Sequence, residues 1–117
     1  MPKTFKQALQ KGTLEDVISH PKSDLHNHAG RDGNIKYLSE CLGVKIALPP
    51  QKFKSIDDMQ LWYSNNIRCL TSGVEGQFKR WDASFQQAGA DNITVLALSF
   101  SSSEIALAGG WKNLSKY

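Results

Sequence analysis

The chain has 117 residues, the length of a single domain, with 40% apolar and 21% charged residues and a net charge of +3. Its basic residues are scattered, with no run denser than residues 52–54 or 79–80. Because nucleic-acid-binding domains usually cluster their cations on one face, this pattern argues against a nucleic-acid partner. No window approaches 18 consecutive apolar residues, so we also expect no membrane partner.

The first residues carry charge but lack the apolar core of a signal peptide, which predicts a cytoplasmic protein. Cys41 and Cys69 are far apart and lie in helical patterns. They are expected to be buried or partly buried free thiols in a reducing compartment.

Residues 1–20 are predicted to form two short helices. Thr4 can cap the first, which Gly12 ends, and Thr13 with Asp16 three residues later can cap the second. Pro21 ends this region, since the residue before a proline is pushed out of helical geometry.

Residues 23–28 then predict a strand that carries a histidine pair. His26 and His28 are two of the three histidines in the chain, and the glycines Gly30 and Gly33 follow them. In a strand, residues i and i+2 point to the same face and lie roughly 6.5 Å apart. Two imidazoles can therefore converge on one metal ion from the strand end. The alternative is a pair of structural histidines; the Asp-Leu before them and the glycine loop after them favour metal ligation.

Residues 35–89 predict three inserted helices. The first spans residues 35–42 and ends at Gly43, the second follows a Ser55 cap, and the third follows Gly73. Apolar residues at spacings of three and four predict buried stripes, and favour helix packing over base stacking for the aromatic residues. The stripes are Ile56, Met59, Tyr63, Ile67 and Leu70 in the second helix, and Val74, Phe78, Trp81 and Phe85 in the third.

Residues 93–100 predict a second strand, nearly continuously apolar, as is typical of a parallel strand covered on both faces. A further helix is expected from the serines at residues 101–103. The chain is thus predicted to be one α/β domain in which a long helical connection joins two strands.

The phrase P-K-S-D-L-H-N-H-A-G at residues 21–30 resembles the first-strand signature of the adenosine deaminase-like branch of the metal-dependent amidohydrolases. That signature has Pro-Lys, an acidic residue, Leu-His-x-His and a glycine. Residues 53–59 are similar to the start of a helix in that family, and residues 91–100 to its second barrel strand. The resemblance covers roughly residues 15–105.

The resemblance implies the N-terminal portion of a (β/α)8 TIM-type barrel, with helices inserted between strands 1 and 2, and hence an incomplete domain. It implies that His26 and His28 bind Zn²⁺, whose other ligands belong to later strands absent from this chain. Such a zinc ion activates water for removal of the amine of a purine nucleoside or base. Proton-shuttling residues also lie on later strands, so no catalytic residue is expected here. His28 and Gly30 are the positions expected to contact this small-molecule substrate.

The sequence departs from the family pattern in two places. Family members usually carry an acidic residue that holds the substrate sugar at the position of Gly30; Asp32 can supply that carboxylate from a shifted loop, or lie in a surface turn. Ala97 and Ser99 stand where the second strand often has charged side chains. Asp24 is the nearest carboxylate that can hydrogen-bond a ligand histidine, or it can face the barrel interior.

Two other functions stay open. Residues 24–33 also resemble the opening motif of PHP-type phosphoesterases, although that motif usually lies closer to the N-terminus and lacks the Pro-Lys. The chain can instead be a non-catalytic truncated remnant, and alone it is expected to be inactive. The carboxylates of Asp58, Glu75 and Glu104 are interpreted as solvated or capping, and His20 as a cation at a helix C-terminus.

Overall fold

The chain begins with two short helices, each fixed by a capping box. The structure, a computed structural model, describes residues 4–31 and 33–116. Helices α1 (Phe5–Lys11) and α2 (Leu14–Ser19) have Thr4 and Thr13 as N-caps, which confirms both predicted starts. The Lys22 ammonium then donates to the carbonyls of Val17 at 2.9 Å and His20 at 2.6 Å. It thereby ties the end of α2 to the first strand.

A two-stranded parallel sheet holds the centre of the fold. Strand β1 (Lys22–His28) pairs with β2 (Ile93–Ser99), so that His28 lies opposite Ser99. The Ala29 amide donates to the Ser99 carbonyl at 3.0 Å just beyond the strand ends. The carboxyl ends of both strands therefore meet at one edge. A sheet of two strands does not display a barrel, so the (β/α)8 architecture stays a prediction.

Helices fill the connection between the strands, as predicted. They are α3 (Ile35–Leu42), α4 (Ile56–Asn66), a 3₁₀ turn (Arg68–Leu70) and α5 (Gly73–Ala90). Gly43 ends α3 at a φ of 68°, a left-handed conformation that favours glycine. After β2 come α6 (Ser102–Leu107) and α7 (Trp111–Leu114).

Two small apolar clusters form the core. One joins α3, α4 and α5, and the other lies at the carboxyl edge of the sheet, where the indole of Trp81 packs edge-on against Phe100 with ring centroids 4.9 Å apart. The Cα radius of gyration is 16.1 Å. A compact domain of this length has a radius of gyration of about 13 Å. The fold is therefore more extended than a self-contained domain.

The predicted burial of the apolar stripes in α4 and α5 is correct for only some of their residues. In α4, Tyr63 is buried, as is Ile67 directly after the helix, but Ile56 in the first turn is 73% exposed. In α5, Trp81 is buried while Val74 and Phe85 are exposed. The helices thus bury a narrower face than their periodicity predicts.

The expectation that β2 is covered on both faces is wrong. Leu98 packs into the cluster around Trp81, but Val95 is 55% exposed. Helix α5 packs against β2, and Thr94, Val95 and Ala97 of the strand stay exposed. The strand therefore has the composition of a doubly covered strand and the environment of a singly covered one.

Candidate functional site

The two histidines of β1 lie side by side. The ring centroids of His26 and His28 are 5.5 Å apart, with an angle of 57° between the ring planes, and both side chains are exposed. The register shifts between Asp24 and Asn27, so that β1 has one extra residue here relative to β2. Such a bulge re-aims the side chains of a strand. The rings nevertheless occupy one side of the strand, as the i, i+2 spacing predicts.

This pair fits part of a zinc site. Two neighbouring imidazoles are suitable donors, but catalytic zinc usually has three protein ligands. Within residues 4–31 and 33–116, no group of three or more His, Cys, Asp or Glu side chains is arranged to hold a metal ion. A zinc site that used His26 and His28 would therefore need further ligands from outside the described residues.

The side chain of Asp24 is used locally. Its carboxylate accepts from the His26 amide at 3.2 Å and from the Asn27 side-chain amide at 2.8 Å. It therefore stabilises the bulge before the histidine pair, rather than bonding an imidazole as the sequence allowed. Asp32, the other carboxylate considered, lies outside the described residues.

An open cavity of about 620 Å³ adjoins the histidine pair at the carboxyl edge of the sheet. Its wall includes His28 from β1, Ser99 from β2, and residues from the loop after β1, the 3₁₀ turn, α5 and α6. The charged side chains that line it are Arg31, Arg68, Arg80 and Glu104. The cavity is thus a cationic space placed directly beside one of the predicted metal ligands.

Arg80 is the buried centre of this wall. It is 4% exposed, and its guanidinium donates to the Tyr63 hydroxyl at 2.7 Å and to the Gln77 side-chain oxygen at 2.5 Å. The same guanidinium forms an ion pair with Glu104 at 3.7 Å. Its Nε–H has no hydrogen-bond partner among the described residues. A buried donor in that state is unusual, since nearly all buried polar groups are paired.

Tyr63 joins the arginines to the loop after β1. Its hydroxyl donates to the Gly30 carbonyl, and the guanidinium carbons of Arg31 and Arg68 lie 4.8 and 5.5 Å from its ring centroid. Burial raises the pKa of the phenol because a phenolate would lose its solvation there, and the Glu104 carboxylate adds to this while Arg80 opposes it. Tyr63 is therefore a neutral hydrogen-bonding bridge near pH 7.

The loop that follows β1 is held against α5. The Ser84 hydroxyl donates to the Ala29 carbonyl at 2.6 Å, and the Asn34 amide donates to the Ala83 carbonyl at 2.9 Å. At Gly33 a Cβ would lie 2.8 Å from the Cβ of Ala83, so the close approach of loop and helix requires glycine. The predicted glycine loop is thus a packing feature as well as a link to the site.

Gly30 is buried against the Glu104 side chain rather than exposed to solvent. A Cβ on Gly30 would lie 2.5 Å from a Glu104 carboxylate oxygen, so that carboxylate fills the space a side chain would take. The interpretation of Glu104 as solvated or capping is wrong for its carboxylate, which is 18% exposed and paired with Arg80. The substrate contacts expected of His28 and Gly30 stay predictions.

One feature of the sequence could have placed Glu104 at the site, but none could have placed Arg80 there. Glu104 follows the end of β2 as Gly30 follows the end of β1, and the carboxyl ends of parallel strands meet at one edge. Arg80 lies beside Trp81 on α5, but an arginine in a helix is ordinarily exposed, so its burial cannot be read from its position.

The sequence also predicted that the two cysteines are buried or partly buried. Cys41 and Cys69 are free but both exposed, which corrects the expectation of burial. Among the described residues, no helix has the length and apolar character needed to cross a membrane.

Comparison with known proteins gives one weak likeness. A segment of 87 residues is 26% identical to a protein of Treponema pallidum (strain Nichols) named "Putative adenosine/adenine deaminase". The match covers 74% of this chain but 29% of that relative, so the chain spans under a third of its length. No family model matches the chain. No solved structure matches it either. The likeness suggests the deaminase family and does not establish membership.

Proposed function

We propose that this chain forms the N-terminal part of a zinc-dependent deaminase that acts on a purine nucleoside or base. The observation that carries the proposal is the same-face pair His26 and His28, at the carboxyl end of a strand that lies parallel to β2. In α/β barrels, functional side chains gather at this end of the strands. The weak likeness to a protein named as an adenosine/adenine deaminase supports the same class.

The remaining metal ligands would come from later strands of a larger (β/α)8 barrel. Such barrels typically have about 250 residues, and the chain spans 29% of the relative it matches. Val95 and Leu25 are 55% and 71% exposed on a sheet whose two strands both lie at an edge. Apolar strand surface of this kind is ordinarily covered by further strands and helices.

The residues of this chain would have two tasks in that enzyme. His26 and His28 would hold the zinc ion, which when bound supplies Lewis-acid activation of water for hydrolysis. The cavity beside His28 would receive the substrate, and its volume of about 620 Å³ is in the range of small-molecule sites. Tyr63, Arg80 and Glu104 would keep the cavity wall in place through their mutual hydrogen bond and ion pair.

The test uses the complete gene product that contains this segment. His28→Ala should abolish stoichiometric zinc, measured by metal analysis, together with release of ammonia from adenosine or adenine. His20→Ala is the matched control, because its ring bonds the Asp16 carbonyl at 2.8 Å in α2 and belongs to the N-terminal helices. A His28→Ala protein with full zinc and full activity would show that the assignment is wrong.

A phosphoesterase is the second candidate, and the arginines of the cavity favour it. Three guanidinium groups beside His28, the predicted metal ligand, are also suitable for a phosphate ester. Metal-dependent hydrolysis of a phosphomonoester by the complete gene product, with no release of ammonia, would select this alternative. A folded product with neither activity would instead support the third interpretation, a non-catalytic remnant.

A further inference from the structure

We infer that the cavity beside His28 binds the phosphate group of a small phosphomonoester through Arg31, Arg68 and Arg80. The inference deepens the proposed function, on which its assignment to a substrate rests: the purine nucleoside would carry a phosphate group. The binding site itself depends only on the side chains of the cavity.

The cavity has an excess of positive charge. Three guanidinium groups and one carboxylate, that of Glu104, line the cavity, which leaves two positive charges in excess there. All three guanidinium carbons lie within 6 Å of one Tyr63 ring centroid, at 4.8, 5.5 and 5.7 Å. Like charges gathered around one cavity repel one another, and a bound anion relieves that repulsion. A phosphomonoester carries about −1.5 to −2 charge at neutral pH, which matches the excess better than a carboxylate does.

The wall of the cavity also has hydrogen-bond donors that can bind an anion. The Arg80 side chain is nine-tenths buried, lines the cavity, and keeps an Nε–H with no partner among the described residues. Arg31 and Arg68 are exposed and add further donors to the wall of the same cavity. Guanidinium donors bind the oxygens of phosphate in pairs, so three arginines can engage one phosphate group from several directions.

Arg80 is held in one orientation before any anion binds. Arg80 is fixed by Tyr63, Gln77 and Glu104, so its orientation does not have to be established when an anion binds. Preorganised donors contribute more to affinity than mobile ones, because less conformational entropy is lost on binding. Arg31 and Arg68 would close on the phosphate after Arg80 has positioned it.

The experiment measures binding to the complete gene product that contains this segment, kept free of metal by a chelator, by calorimetric titration. The probes are adenosine 5′-monophosphate, inorganic phosphate and adenosine. We expect both phosphates to bind at least tenfold more tightly than adenosine. We also expect the double variant Arg31→Gln/Arg68→Gln to weaken the binding of adenosine 5′-monophosphate at least tenfold. Both arginines are exposed, so their replacement should leave the circular dichroism spectrum unchanged.

The control is Lys6→Gln/Lys11→Gln, which removes the same charge from α1 and should leave the affinity unchanged. Equal affinities for adenosine and adenosine 5′-monophosphate would overturn the inference. An equal loss of affinity in the lysine double variant would overturn it too, because binding would then follow net charge alone. Failure of the deaminase proposal is measured separately. If the protein binds phosphomonoesters but releases no ammonia, the phosphate site is supported and the deaminase proposal is wrong.

Discussion

The Arg80 guanidinium donates a hydrogen bond of 2.7 Å to the hydroxyl of Tyr63, and both groups are buried. This bond joins α5 to α4 beneath the loop that follows β1. The same hydroxyl donates to the Gly30 carbonyl, so one phenol connects two helices to the edge where His28 lies. The stability of the fold and the shape of the cavity therefore depend on the same group.

The first prediction concerns that phenol. Tyr63→Phe would leave the Gly30 carbonyl and one N–H of Arg80 without their partner. We expect it to lower the free energy of unfolding by about 1–3 kcal/mol, the usual penalty for a buried polar group that loses its partner. Denaturant titration followed by circular dichroism measures this. Tyr37→Phe, at a half-buried phenol of α3, is the matched control and should cost less. Equal losses in the two variants would contradict the bridging role.

The second prediction is a dependence on alkaline pH. Burial raises the pKa of Tyr63 above its ordinary value of about 10. Because the folded-state pKa is the higher one, this contribution to stability is fully present below about pH 10 and is lost as the pH rises through the folded-state pKa. Absorbance titration of the phenolate should show a late-titrating tyrosine that Tyr63→Phe removes. A Tyr63 that ionised like free tyrosine would show that the phenol is solvated.

The third prediction concerns Trp81, which is fully buried and packs edge-on against Phe78 and Phe100. We expect Trp81→Ala to destabilise the chain by about 3–5 kcal/mol, since it removes a large buried side chain and leaves a cavity. Phe85→Ala, at an aromatic residue of the same helix that is 46% exposed, should cost clearly less. If the two losses were alike, the cluster around Trp81 would not be the core of this edge.

The local part of the fold could be predicted because its causes are local. Thr4, Thr13 and Ser55 cap helices through bonds to residues three positions away, and Gly43 ends α3 by its own backbone conformation. The His-x-His spacing likewise predicts the neighbouring rings of His26 and His28. Each of these features depends on a few consecutive residues.

The cavity could not be predicted, because its wall comes from segments far apart in the chain. Arg80 bonds Tyr63 across 17 positions and pairs with Glu104 from another helix. Nothing in the local pattern distinguishes a buried arginine from an exposed one until the packing of α4, α5 and α6 is known. The exposed face of β2 was missed for the same reason, since burial depends on what packs against a strand and not on its composition.

The final prediction is that the 117-residue chain alone associates with itself and does not turn over substrate. Leu25 and Val95 expose apolar surface on strands whose outer edges are unpaired in the described residues, and such edges recruit other chains. Size-exclusion chromatography with light scattering should show concentration-dependent oligomers. Val95→Lys should reduce them, because a charge on an edge strand opposes pairing.

Activity provides the second half of that prediction. Two imidazoles leave a zinc ion short of the three protein ligands of a catalytic site, so added zinc should give no release of ammonia from adenosine, adenine or adenosine 5′-monophosphate. The Val95→Lys chain is the best preparation for this assay, since its histidines are unchanged. Metal-dependent turnover by a monodisperse sample would contradict the prediction, and would mean that copies of the chain complete the site for one another.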